Sequence, residues 1–167
     1  MILSLDQQIE AMKIAYPNLP VVRQSDRACI WFGGIRPNQK TFCISIYYRP
    51  PIVPEIFTAG IQPRVQVLSP ILERHYDFEE GPTPHVYRND ENPLLPYLCL
   101  FDSDANEWTP EDSIAETTIP WTERWLINYE FWIATGKWAG GGRHVVQRKF
   151  ENPELIFDGQ EAIQSNY

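Results

Sequence analysis

Three cysteines, Cys29, Cys43 and Cys99, and three histidines, His75, His85 and His144, are the residues of this 167-residue chain with the richest chemistry. An odd number of thiols cannot all pair within the chain, no CxxC spacing occurs, and the histidines form no zinc pattern, so neither a metal nor a cofactor is expected. Free thiols fit a reducing cytoplasm. Cys29 and Cys43 sit in strand-like runs, where cysteine behaves as a small buried hydrophobe, and both are discounted as nucleophiles. Cys99 differs: it ends a long stretch rich in Pro, Asn, Asp and Glu, in Leu98-Cys99-Leu100-Phe101.

A thiol both attacks and leaves, which suits it to acyl transfer. The acids around Cys99 raise its pKa, disfavouring a protease-like thiolate and suiting a thioester acceptor that later meets a lysine. Asp102 and Asp104 are placed to orient that lysine and take its proton, or are solvated turn acids. On its own, His85 reads as a residue that caps a turn. His144, after Gly140-Gly141-Gly142, reaches the site only if the chain folds back.

The net charge of −8 is unevenly spread, with +3 over residues 1–50 and −11 over 51–167. Between Glu73 and Glu116 twelve acids face only Arg74 and Arg88. Such a surface repels nucleic-acid phosphates and suits a basic or lysine-bearing partner. No apolar run approaches the ~20 residues of a membrane span, and Met1–Glu10 has no basic start before an apolar stretch, so a membrane protein and a secreted precursor are disfavoured. The length predicts a single domain over 1–167, with its core at about 4–150 and a frayed tail at Glu161–Tyr167.

Several elements must position Cys99. Ser4-Leu5-Asp6-Gln7 is a capping box, and Leu5, Ile9, Met12 and Tyr16 continue it as an amphipathic helix stopped by Pro17. Ala28–Phe32, ended by Gly33-Gly34, and Thr41–Tyr48 read as adjacent antiparallel strands; shorter ones are expected at Glu55–Thr58 and Arg64–Leu68. Residues 69–97 show no sustained period. Thr109-Pro110-Glu111-Asp112 predicts a short helix through Thr117. A second helix from Pro120 carries Trp121, Trp125, Leu126, Tyr129, Trp132 and Ile133 on one face and stops at Gly136. That aromatic stripe reads as a face packed on the sheet. Arg143–Phe150 is a late strand or extended arm. The order predicts an α+β fold: an N-terminal helix, a four-stranded antiparallel meander, then C-terminal helices.

Thr83-Pro84-His85-Val86-Tyr87, then Leu98-Cys99-Leu100, then Trp108-Thr109-Pro110 resembles the ubiquitin-conjugating enzymes, which carry His-Pro-Asn-Ile/Val-Tyr, Ile/Leu-Cys-Leu and Trp-Ser/Thr-Pro in that order. The resemblance covers roughly residues 4–135 and implies the UBC fold, with Cys99 as the thioester-forming residue. Two departures stand out: Thr83 replaces the family His, and His85 replaces the family Asn. The family Asn donates to the developing oxyanion or holds the active-site loop, so the resemblance implies that a neutral His85 imidazole N–H does one or the other, unless His85 only caps a turn. The segment from Trp121 to His144 is similar to the bacterial ubiquitin-conjugating-like proteins of CBASS antiphage operons, in their stand-alone form. That implies a cGAS-like nucleotidyltransferase as partner, with its C-terminus passed through Cys99 to an amine on a lysine-bearing target.

Two other readings compete. One is a UBC-fold scaffold that binds the nucleotidyltransferase without turnover; the missing Asn and the lengthened Tyr87–Cys99 interval favour it. The other is a cysteine–histidine hydrolase using His85 or His144, against which the acidic flank counts.

Overall fold

The computed structural model describes residues 1–51, 62–102 and 105–142. The strand expected at Glu55–Thr58, the arm at Arg143–Phe150 and the tail at Glu161–Tyr167 lie outside them. Helix α1 (Leu5–Ala15) begins with both halves of the capping box: Gln7 N–H donates to the Ser4 hydroxyl at 3.2 Å, and Ser4 N–H to the Gln7 side chain at 2.8 Å. Leu5, Gln8 and Met12 form its buried face.

Among the described residues a six-stranded antiparallel sheet follows, made of β1 (Val21–Gln24), β2 (Cys29–Ile35), β3 (Phe42–Tyr48), β4 (Arg64–Ser69), β5 (Val86–Tyr87) and β6 (Tyr97–Leu98). Its order is β1-β2-β3-β4-β6-β5. The first four strands are a meander; the last two extend it, joined where Gln66 pairs with Tyr97. The expectation of four strands missed β1 at one end and the β5–β6 pair within the stretch expected to be irregular. Two-residue strands are too short to show an alternation of period two.

Gly33-Gly34 was expected to end β2, yet the strand runs through both. A β-carbon at Gly33 would collide with the Asn18 carbonyl oxygen, so this glycine permits a close approach between chain segments. The Asn18 side-chain amide donates to Gly34 C=O at 2.8 Å across the same contact.

Phe42, Ile44, Ile46 and Tyr48 of β3 are fully buried in the main core with Cys29 and Met12, while Tyr47 belongs to a small cluster with Ala28 and Ile30. Helix α2 (Thr118–Thr135) closes the main core with Trp125, Leu126, Tyr129 and Trp132. Phe42 and Tyr129 meet edge to face at 6.1 Å. The aromatic stripe is thus a packing face, as its spacing implied. Glu130, on a half-buried position of α2, clamps the β2–β3 turn by accepting from the backbone N–H groups of Gln39 and Lys40 at 3.1 and 3.0 Å.

Two helix expectations need correction. First, α2 starts at Thr118 rather than Pro120, which places the proline in the first turn, where its missing N–H costs no helical bond. Its end is as expected, with Gly136 in the left-handed region at φ 73°. Second, 109–117 is a series of turns, leaving α2 as the only helix after the sheet among the described residues. The capping pattern does form, with Thr109 N–H and Oγ1 both donating to the Asp112 carboxylate at 2.7 and 2.9 Å. Buried Gln8 then accepts from Ile114 N–H at 2.9 Å and donates to Asp112 C=O at 2.8 Å, capturing backbone groups that a continuing helix would use. Among the described residues no helix is long and apolar enough to cross a membrane.

Trp132 is fully buried, and its indole N–H donates to Glu79 C=O at 2.8 Å. Trp132→Ala is expected to cost about 3–5 kcal/mol in urea unfolding, through cavity formation and the orphaned carbonyl. Phe131→Ala, next to it but 47% exposed, should change stability by less than about 1 kcal/mol. Equal losses at the two positions would show that the stripe is not core.

Candidate active site

The short β5–β6 ladder pairs Tyr87 with Tyr97 and Val86 with Leu98. One step further Cys99 N–H donates to His85 C=O at 2.9 Å, which places the two residues directly opposite each other. The same carbonyl accepts the indole N–H of Trp125 from α2 at 3.0 Å. Both lone pairs of one carbonyl are therefore used to hold the His85 backbone between Cys99 and the helix.

Cys99 is half-buried, and its Sγ lies 3.6 Å from the Tyr87 hydroxyl. Tyr87 is two residues from the partner position of Cys99, so both side chains share one face of the ladder. Burial pushes the Cys99 thiol above its ordinary pKa; the Tyr87 hydrogen bond opposes this, and the Asp102 and Glu107 carboxylates add to it. The acidic flank expected from sequence thus acts, but desolvation is the larger cause. Cys29, fully buried, has its thiol pushed up by desolvation alone and is not placed to react. Cys43 is half-buried within β3, between inward-facing Phe42 and Ile44.

Cys99 opens into a cleft of about 570 Å³ that His85 also lines, with Phe101, Trp121, Trp125 and Trp138 as aromatic walls. Glu107 and Arg124 bring charge to it. Gly140 and Gly141 form part of its lining, and a β-carbon at Gly140 would sit 2.6 Å from Asn128 Nδ2 and 2.7 Å from Trp138 Nε1. A side chain there would push two N–H donors aside. The Trp138 donor is shielded from solvent and has no hydrogen-bond partner among the described residues.

His85 itself is nearly enclosed. Its side chain is 8% exposed, its Nε2 lies 2.9 Å from Glu80 Oε2, and its ring stacks on Trp138 with centroids 5.1 Å apart. Asp102 is engaged in a turn: its N–H donates to Glu107 Oε2 at 2.6 Å, and its Oδ1 accepts from Ala105 N–H at 3.3 Å. Asp104 and His144 lie outside the described residues. The structure therefore brings Cys99 and His85 together, keeps Asp102 near as a charge, and adds Glu80, Glu107, Asn128 and Trp138, which sequence reasoning had not placed at the site. Of these, Glu80 and Glu107 carried a signal as acids of the 73–116 stretch, and Trp138 lies in the segment similar to the CBASS-associated proteins, but none had been assigned to the site.

The sign of each influence on Cys99 can be read from alkylation by iodoacetamide as a function of pH. Tyr87→Phe removes the hydrogen bond that favours the thiolate, so the reactivity midpoint should move up and alkylation at pH 8 should slow. Glu107→Gln removes a repelling charge, so the midpoint should move down and alkylation should quicken. Shifts of the opposite sign would overturn the assignment of these neighbours.

Among curated proteins no significant match to this chain was found. A family model described as the type II CBASS E2 protein matches residues 8–145, most of the chain, and includes the whole β5–β6 ladder, Cys99 and α2. The chain belongs to the type II CBASS E2 family.

Proposed function

We propose that this protein is a thioester transferase of the ubiquitin-conjugating type. In this reading Cys99 accepts the C-terminus of a cGAS-like nucleotidyltransferase and passes it to an amine on a lysine-bearing target in CBASS defence. Membership of the E2 family supports the reaction class. The observation that carries the site is the placement of Cys99 opposite His85, at the end of a two-residue ladder and open to a cleft lined by aromatic rings.

Loading proceeds by attack of the Cys99 thiolate on an activated acyl carbonyl, forming the thioester and expelling the activating group. Discharge proceeds by attack of a neutral amine on the same carbonyl carbon. A C–N bond forms, the C–S bond breaks, and the proton shed by nitrogen ends on Cys99. A thiol of raised pKa is a poorer leaving group, so the loaded form resists adventitious loss until an amine is in place. The enclosing tryptophans reduce the access of water to the carbonyl.

The scaffold reading keeps two points in its favour, because His85 stands where ubiquitin-conjugating enzymes carry Asn and the Tyr87–Cys99 interval is longer than theirs. Incubation with the nucleotidyltransferase and its activating system separates the two. Transfer predicts an adduct that survives a non-reducing gel, is removed by excess thiol, and is absent from Cys99→Ala, while the melting temperature of that variant stays within a few degrees of wild type. A complex that co-purifies without any thiol-labile adduct would leave the scaffold as the function. An adduct that persists in Cys99→Ala would make Cys99 the wrong nucleophile.

A further inference from the structure

Glu80 and His85 are both in the left-handed backbone region, at φ 57° and 49°, although neither is glycine. Such residues cost energy and persist where their surroundings hold them. Here they hold each other: the loop through Gly81-Pro82-Thr83-Pro84 is closed by the 2.9 Å contact between His85 Nε2 and Glu80 Oε2. Only 8% of the histidine side chain and 28% of the glutamate side chain is exposed.

A carboxylate can only accept, so the Nε2 facing it carries the hydrogen. In the neutral ring Nδ1 is then left with its lone pair. That edge faces the glycine strap, since a β-carbon at Gly142 would lie 3.1 Å from Cε1 and 3.4 Å from Nδ1. The opposite, Glu80 side of the ring belongs to a neighbouring cleft of about 470 Å³, lined also by Arg74 and Arg88. The Cys99 side carries Glu107 and Arg124. His85 thus forms the wall between two clefts, tied by Nε2 on one side.

We propose that His85 accepts the proton of the attacking amine at Nδ1, and that Glu80 is the positioning residue that fixes its tautomer and ring. The proposal rests on the thioester-transfer reading and reverses the expectation that His85 is a neutral donor, because the N–H it would donate is already engaged by Glu80. As the amine nitrogen bonds to the carbonyl carbon, its proton passes to Nδ1. The C–S electron pair returns to Cys99 Sγ, and the imidazolium, neutralised by the Glu80 carboxylate, hands the proton on to the thiolate. Thiol and neutral imidazole are regenerated, and no co-reactant is consumed.

Two measurements test this in the intact protein. Nitrogen-15 NMR of the unloaded protein should show His85 protonated at Nε2 and bare at Nδ1, with the preference lost in Glu80→Ala; an Nδ1–H tautomer in wild type would overturn the proposal. Single-turnover discharge of the Cys99 thioester to free lysine should fall about 10²–10⁴-fold at pH 7 in His85→Asn. Glu80→Gln should lose about 10-fold and Glu80→Ala more. These deficits should shrink toward pH 9, where hydroxide can take the proton in place of the imidazole, a rescue that a purely structural role would not give. His85→Asn discharging at the wild-type rate, or deficits independent of pH, would sink the base assignment while leaving Cys99 loading, and so the transfer reading, intact. If wild-type Cys99 takes no thioester, both fall together.

Discussion

The structure around the thiol depends on the hydrogen bonds that α2 extends from its aromatic stripe to the backbone of residues 73–85. Trp125 donates to His85 C=O, Tyr129 accepts from Glu73 N–H at 2.7 Å, and Trp132 donates to Glu79 C=O. These residues lie one and two turns apart on a single helix face, so a rigid element fixes a segment with almost no regular structure of its own. The stripe thereby does two things. It fills the core with rings, and its polar tips set the position of Glu79, and hence of the Glu80–His85 loop. A leucine stripe would provide the first and not the second.

The β5–β6 ladder adds the other coordinate. Two pairs are too few to be stable alone, and this hairpin is held on one side by Gln66, whose side-chain amide donates to Leu95 C=O at 2.6 Å, and on the other by Trp125. Because register is fixed by the Tyr87–Tyr97 pair, Cys99 and His85 are opposed without needing a direct side-chain contact. A slip of one residue would move the sulfur to the other face and away from the Tyr87 hydroxyl.

What was legible in the sequence follows from how local each signal is. The capping box at Ser4, the stop at Gly136, strand β3 and the packing face of α2 are written in neighbouring residues, and each stands where expected. The failures share a cause. Gly33-Gly34 resembles a strand end until Asn18 is brought against it, and 109–117 resembles a helix until Gln8 takes its backbone partners. Within the site, the motif order pointed to Cys99 and His85 because it is a linear pattern. Glu80, Asn128 and Trp138 become part of that candidate site only through loop closure, a helix face and a glycine strap; the acidic stretch around Glu80 and the aromatic segment around Trp138 do not say which of their residues reach it.

On the transfer reading, the electrostatics of the cleft separate holding an acyl group from releasing it. Burial and the carboxylates of Asp102 and Glu107 make the Cys99 thiolate costly, which disfavours departure of sulfur from a thioester. On that reading, release requires that the proton of the amine be taken up and then delivered to sulfur. An asparagine at position 85 could steady an oxyanion but could not carry that proton; an imidazole with one nitrogen tied to a carboxylate could. On the transfer reading, the exchange of Asn for His and the raised basicity of the thiol are complementary parts of one arrangement, in which the sulfur is a reluctant leaving group and the proposed proton acceptor belongs to the residue whose backbone stands opposite it in the ladder.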